Sequence, residues 1–585
     1  MRNIHKLNML AASIAVATTG GANAGILGAA NEIFISGATA PANFIREDAV
    51  QRICDPAAAA VQVFTEEVET LPDITPGGNI MGAGNHTVIR CTARSGFGAL
   101  SGQDIAIYKF NGGSASGVAP VAEGLATDFL DASVGGCTAQ TGGIGGANAW
   151  PIGDTADTFE LYECTDAALI KQQIPDAGVS DVEPKVFTNQ LALDFGVEPT
   201  GTTVRPTVDL GDISTLTVKA GPGLIFGTGV SIEMYDEMID DQQAAGLLPD
   251  CPATPTRAQR DSIACMPSMP SAAIRSVFEG QITSWAQLKP YDLDLDPARV
   301  NQGNNVHLCK RTNGSGTHAQ FSVNFLQTNC LAGSQLAMIE QNDGVSSAAN
   351  GVVGMYANRG SSDMDDCLDA LGNGLGFDGD FDTLPQSTSP ESGDSSVVPG
   401  SGLASSAVVE SDAFGGSHPL GQTYDNGGVP FTAYGMGYNS MEKNSGFDFD
   451  YRFIKVDGAA PTLNETITGD YKDVYYLSYQ HNTALPMALS GIRTAAGTGA
   501  QRDVLNAYFD TWNATAPAAL AAVNAGLTRD PNGTPGDADD WETGYVSPIS
   551  GADFAYDGST PATPWSRQVP GSGVADSCQA LSIIR

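Results

Sequence analysis

The chain carries few cations. Of its 585 residues only 28 are Lys or Arg, ten of them Lys, against 66 Asp or Glu, for a formal net charge of −38. Binding of nucleic acid or of an anionic membrane through the general surface is excluded, because both depend on clustered Lys and Arg. No apolar run of 18 residues is present, so no segment reads as a membrane-spanning helix. There is no Cys-x-x-Cys pair, which removes support for zinc ribbons and thioredoxin-like redox sites. The six His residues (His5, His86, His307, His318, His418, His481) are scattered without metal-ligand spacing. Neither His-Glu-x-x-His nor Gly-x-Ser-x-Gly occurs, so hydrolytic chemistry has no local signature. What is present is 42% hydrophobic residues with 16% charged, enough apolar material for a large core. Gly at 69 and Pro at 32 predict many loops. At about 150 residues per domain the length allows about four units.

The first 24 residues have the form of a secretory signal. Arg2 and Lys6 precede a mostly apolar stretch from Leu7 to Thr18, and Ala22-Asn23-Ala24 supplies a small-x-small cleavage pattern. No Cys follows it, so no lipid anchor is expected, and the mature chain is expected to be exported, periplasmic or secreted. Ten cysteines, all beyond this segment, fit an oxidising compartment. Pairing of chain neighbours, Cys137–Cys164, Cys251–Cys265 and Cys309–Cys330, is the simplest expectation.

Short apolar strands alternate with helical patterns, which predicts an α/β fold. Strands are expected at 31–36 (NEIFIS), 104–110 (DIAIYKF) and 306–310 (VHLCK). The first runs through Gly37-Ala38-Thr39-Ala40-Pro41 into a helix with Ile45, Ala49 and Ile53 on one face. The third runs through Arg311-Thr312-Asn313-Gly314-Ser315-Gly316-Thr317 into a helix with Phe321 and Phe325 on one face. A late helix is expected at 504–512. The stretches 119–175, 350–430 and 529–585 are turn-rich and read as insertions or an extension.

Three strand-to-loop junctions share a composition of small and hydroxylated residues at a predicted helix start. Such a place exposes unpaired backbone N–H groups and the positive end of the helix dipole. Ser and Thr add donors, and Arg311 adds a fixed positive charge. Each loop alone is an ordinary helix cap; the combination describes a site for an oxyanion. A fourth segment, Asp176-Ala177-Gly178-Val179-Ser180-Asp181-Val182-Glu183-Pro184, adds a carboxylate. A carboxylate only accepts hydrogen bonds. Asp181 would repel a fully ionised oxyanion and accept from one that retains a proton.

The order of these segments resembles the periplasmic phosphate-binding proteins of phosphate ABC transporters, the PstS-like type 2 periplasmic binding proteins. SGATAP at Ser36–Pro41, NGGSASGV at Asn111–Val118, DAGVSDVEP at Asp176–Pro184 and RTNGSGT at Arg311–Thr317 carry the resemblance. VFEGQITSW at Val277–Trp285 and GMGYNSMEKN at Gly435–Asn444 support it. The resemblance implies a two-lobed α/β fold with a ligand cleft between the lobes and large Gly/Ser/Asp-rich insertions. It implies inorganic phosphate as ligand, no cofactor or metal, no enzymatic activity, and an ABC transporter permease as partner. The implied ligand residues are Thr39, Ala40, Ser114, Asp181, Arg311, Ser315, Gly316 and Thr317, with Ser116 competing with Ser114. Ala40 stands where the family usually has an aromatic residue, and Asn313 where it has an acid. One lobe is expected to combine 25–224 with 441–528, the other to span 225–440, with 529–585 as an extension. The alternatives are a secreted adhesion or structural protein on the same fold, or a secreted phosphatase-like hydrolase. Asp378-Gly379-Asp380-Phe381-Asp382 starts like a calcium loop but has Thr383 at the glycine position.

Overall fold

The computed structural model describes residues 31–49, 53–59, 61–71, 79–95, 100–131, 136–139, 159–164, 170–187, 213–300, 303–311, 314–327, 353–358, 361–373, 409–411, 417–419, 432–484, 516–534, 536, 539–567 and 576–584. The signal-like segment, the helix expected at 504–512, the acidic loop at 378–382, Thr312, Asn313 and Cys330 lie outside them.

Ten strands carry the site: β1 (Asn31–Gly37), β2 (Val61–Leu71), β3 (Asn79–Thr92), β4 (Asp104–Phe110), β5 (Ala177–Ser180), β6 (Leu216–Ser231), β7 (Val306–Arg311), β8 (Val353–Asn358), β9 (Gly435–Ser440) and β10 (Val474–Asn482). They belong to one continuous sheet in the order β8-β7-β9-β6-β10-β5-β1-β4-β3-β2. β1 lies parallel to β4 and to β5, with Ser36 opposite Phe110 and Gly37 opposite Val179. These three strands therefore end along one edge, and the loops that follow them cluster there. Parallel sheets generally place ligand sites beyond such carboxyl ends. β7 is parallel to β8 and β9, which gives the second half of the molecule a similar edge at Arg311.

Two large hydrophobic cores make the molecule two-lobed. The first gathers Ile33, Ile35, Ile105, Ile107, Val118, Val179 and Tyr479. The second gathers Met234, Ile274, Phe278, Trp285, Leu308, Phe321, Leu368 and Tyr438. The helices that cover them follow from amphipathic spacing. α1 (Ala42–Asp48) and α2 (Ser114–Glu123) cover the first core; α3 (Ile232–Ala244), α4 (Ser271–Phe278), the six-residue α5 (Gly316–Phe321) and α6 (Ser361–Asn373) lie in the second half of the chain. β6 passes between the cores: Leu224 and Phe226 enter the first and Ile225 and Val230 the second. Its early residues pair with β10 and its later ones with β9. β10 passes between them as well, with Val474 in the second core and Tyr475 and Leu477 in the first.

The packing puts Met441, Tyr451, Phe453, Leu463 and Tyr471 in the second core, whereas the sequence analysis assigned that stretch to the first lobe. Apolar periodicity marks which residues are buried but not which core receives them. The stretch from Arg529 onward is likewise woven into both lobes. Trp541 packs in the second core and Tyr545 in the first, and Tyr545–Pro548 pairs with β6 at Gly223 and Leu224. Arg529, 1% exposed, donates to the carbonyls of Met441, Lys443 and Asn444.

Four disulfides join pairs of described cysteines: Cys54–Cys91, Cys137–Cys164, Cys251–Cys265 and Cys309–Cys367. Two of the neighbour pairings expected from sequence occur. Cys309 pairs instead with Cys367, which joins β7 to α6 across 58 residues. Cys578 is disulfide-bonded too, and no free cysteine occurs among the described residues. Alkylation of the exported protein without reduction, read by mass, is expected to label none of the ten cysteines. Two or more labelled cysteines would contradict it.

Candidate functional site

The loops after β1, β4 and β5 meet the loop after β7 at the junction of the two lobes. Local packing explains the glycines at this point. A Cβ on Gly178 would lie 1.6 Å from the Gly117 carbonyl oxygen, so only glycine lets the first turn of α2 lie directly on β5. Gln480 of β10 holds that turn by donating to the same Gly117 carbonyl at 2.6 Å. Ser114 opens α2 and is fully buried. Its Oγ accepts from the Asp181 backbone N–H at 3.0 Å. Ser116 turns into its own loop and donates to the Gly112 carbonyl at 2.7 Å, so Ser114 is the serine that faces Asp181.

From the other lobe, Gly316 approaches so closely that a Cβ there would lie 2.0 Å from Ser114 Oγ and 2.5 Å from Asp181 Oδ2. The Ala115 N–H donates to the Gly314 carbonyl at 3.1 Å, a second contact between the lobes. Ser315 caps α5, its Oγ accepting from the His318 N–H at 3.3 Å, and Thr317 is buried in the first turn. Gly316→Ala is therefore expected to hold the lobes apart at this contact. Small-angle scattering should report a more open molecule; an unchanged scattering profile would show that the contact is not needed.

Asp181 is 4% exposed. Burial pushes its carboxyl up to about 6; hydrogen bonds from Ser114 and Thr317 and the charges of Arg311 and Lys109 pull the other way. Its Oδ1 is buried without a hydrogen-bond partner among the described residues. Arg311 ends β7, is buried, and donates through Nε to the Asn358 carbonyl at 3.3 Å. Its backbone N–H donates to Tyr438 Oη, which also meets His318 Nδ1 at 2.9 Å. Burial, then the charges of Lys310 and Arg311, hold His318 well below the usual imidazole range, so the ring is neutral and shares one hydrogen bond with Tyr438 Oη through Nδ1. Tyr438 lies in the GMGYNS segment and fixes the backbone that presents Arg311.

Of the residues singled out from sequence, Ser114, Asp181, Gly316 and Thr317 come together, with Ser315 and Arg311 on the adjoining loop. Thr39 is exposed. Ala40 is half-buried, and its carbonyl accepts from Tyr545 Oη at 2.6 Å. Tyr545 Oη lies equally close to Glu442 Oε1, which links the first loop to the segment after β9.

Two buried cations were not singled out. Lys109, 3% exposed, contacts the carbonyls of Gly37, Ala38 and Phe110 and Asn111 Oδ1. Its signal was strand parity: Ile105 and Ile107 face the first core, and Lys109 shares their side of β4. Arg46 on α1 is buried beside Glu442 and Tyr545, and burial lowers it to about 10. A lone Arg on an otherwise apolar helix face gave no comparable signal. Among the described residues no group of three or more His, Cys, Asp or Glu side chains could hold a metal ion. No helix there is long and apolar enough to cross a membrane.

No protein-family model and no curated protein sequence matches the chain. Solved structures similar to it include a protein from Clostridium perfringens described as a phosphate ABC transporter substrate-binding protein with bound phosphate. It has 11% identity and a TM-score of 0.30, over 81% of this chain and 92% of that one. An ABC-type phosphate transport receptor from Vibrio cholerae has 12% identity and a TM-score of 0.25, and PstS from Borrelia burgdorferi has 9% and 0.25. Each spans 59% of this chain and 76% of its own. Values this low fix no residue-to-residue correspondence.

Proposed function

We propose that the protein is an exported solute-binding protein that holds inorganic phosphate between its lobes and hands it to a membrane permease of the ABC transporter class. The observation that carries this reading is Asp181: a buried carboxylate with one unpartnered oxygen, set between Ser114 of one lobe and Thr317 of the other and facing the charges of Arg311 and Lys109. A carboxylate in that place suits an oxyanion that brings its own proton. The Arg311 guanidinium would pair with two ligand oxygens, as its planar fork allows. Ser114, Ser315, Gly316 and Thr317 would donate to the others, with the Thr39 and Ala40 backbone closing the site. Binding would hold the lobes together, since the donors come from both.

The disulfides support a place outside the reducing cytosol. We assign no catalysis to the site. The net charge of −38 slows anion encounter without opposing a buried site, because fields are screened beyond about 10 Å at 0.1 M salt.

The test is calorimetry of the mature protein, stripped of endogenous ligand, with phosphate, arsenate and sulfate. Phosphate and arsenate are expected to bind and sulfate to bind much more weakly. A phosphate-ester turnover assay on the same sample is expected to give none. Absence of phosphate binding would sink the proposal, and ester turnover would favour the hydrolase.

A further inference from the structure

The Lys109 ammonium sits where the first two loops begin. A Lys ammonium has three donors and no acceptor. Four oxygens lie around this one: Phe110 O and Asn111 Oδ1 at 2.8 Å, Ala38 O at 3.1 Å and Gly37 O at 3.3 Å. Two belong to the end of β1 and its loop, and two to the end of β4 and its loop. Only acceptors surround Nζ, which suits a protonated amine; a neutral one would point its lone pair at an oxygen. Burial, then the charge of Arg46 from α1, pushes the Lys109 ammonium well below its ordinary range, and Asp181 from the loop after β5 pulls it back up; the ring of acceptors favours the charged form. The charges that act on Asp181 are Lys109 and Arg311, with Ser114 and Thr317 as hydrogen-bond partners.

We propose that Lys109 is the positioning residue of this site: its ammonium fastens the first and second loops together and supplies the counter-charge that keeps Asp181 an acceptor. Arg311 cannot replace it in this role. Arg311 arrives from the second lobe and is present only when the lobes meet, whereas Lys109 belongs to the same lobe as Asp181. In the open molecule Lys109 is the cation left to hold Asp181 ionised before ligand arrives. Without it Asp181 would take up a proton and donate, and the preference for a protonated oxyanion would weaken.

The proposal rests on the oxyanion reading for its meaning, but its test does not. The carboxyl carbon of Asp181 is followed by NMR against pH in ligand-free, full-length mature protein, in the wild type and in Lys109→Met. Met keeps the length and removes the charge. The midpoint is expected to rise by about one pH unit, at the low end for loss of one nearby opposite charge. On the same samples the phosphate-to-sulfate affinity ratio is expected to fall about tenfold, and Lys109→Met is expected to have much less effect on that ratio in an Asp181→Asn background. A residue with a merely structural role would lower both affinities alike and leave the midpoint in place, and that result overturns the proposal. Should Lys109→Met alone fail to fold, the double variant decides: folded protein there supports the charge coupling, and failure in both overturns it. If the wild type binds no phosphate, the oxyanion reading fails while the titration still decides on Lys109.

Discussion

Replacing Arg311 with alanine is expected to weaken the proposed phosphate binding by about 3 kcal/mol, or roughly a hundredfold in Kd, the usual cost of removing one partner from a buried charge pair. The effect is large because two losses coincide. The ligand loses a bidentate partner, and Asp181 loses a charge that holds its carboxyl down. Arg311→Lys keeps the charge without the planar fork, and its affinity is expected to fall between the two. Calorimetry at one pH and salt concentration measures all three. An Arg311→Ala affinity within twofold of the wild type would place Arg311 outside the site.

Asp181→Asn is expected to change selectivity more than affinity. Sulfate brings no proton, so in the wild type it meets an ionised carboxylate with only lone pairs to offer. Rejection by a mismatched buried polar group reaches about 3 kcal/mol. Asn offers a donor at similar size, so the phosphate-to-sulfate ratio should fall by up to about a hundredfold, chiefly through tighter sulfate binding. The carboxyl pushed up to about 6 gives the same expectation in pH. Sulfate would bind the wild type together with one proton on Asp181. Its affinity should therefore rise about tenfold for each unit the pH falls toward 6, and level off below. Asp181→Asn should lose that slope.

The sign for stability follows from the same shift. The folded value of about 6 lies above the ordinary 3.8. The stabilising contribution is complete below 3.8 and is lost as pH rises through 6. At neutral pH the variant should be more stable than the wild type by up to about 3 kcal/mol. An unchanged selectivity ratio together with an unchanged pH slope would make Asp181 an ordinary turn residue.

The strands that end at the site were legible because each is a short apolar run closed by turn residues. β4 spans the expected residues, and β1 and β7 run one residue beyond theirs. The cluster of small and hydroxylated residues was legible for a similar reason: close backbone approach leaves room only for Gly, Ala and Ser. What lay beyond local pattern was not legible. Cys309 finds Cys367 because β7 and α6 pack together, and spacing says nothing of that. Which core receives the apolar residues of 441–474 was not legible either, because by pattern they fit both. Lys109 was missed because 104–110 was read only as a strand, without asking which side of it Lys109 shares with Ile105 and Ile107.

Tyr545 reaches Ala40 from 505 positions away along the chain. That separation orders events in the life of each molecule. Until Tyr545 and Val546 have been made, the first loop lacks its anchor, and β6 lacks a neighbour at Gly223 and Leu224. Pairings this remote form slowly, because the chain between them must be ordered first. A nascent or truncated chain would carry every ligand-facing side chain named above and still be unable to present the first loop properly. The first loop is therefore fixed late, only once Tyr545 has reached it.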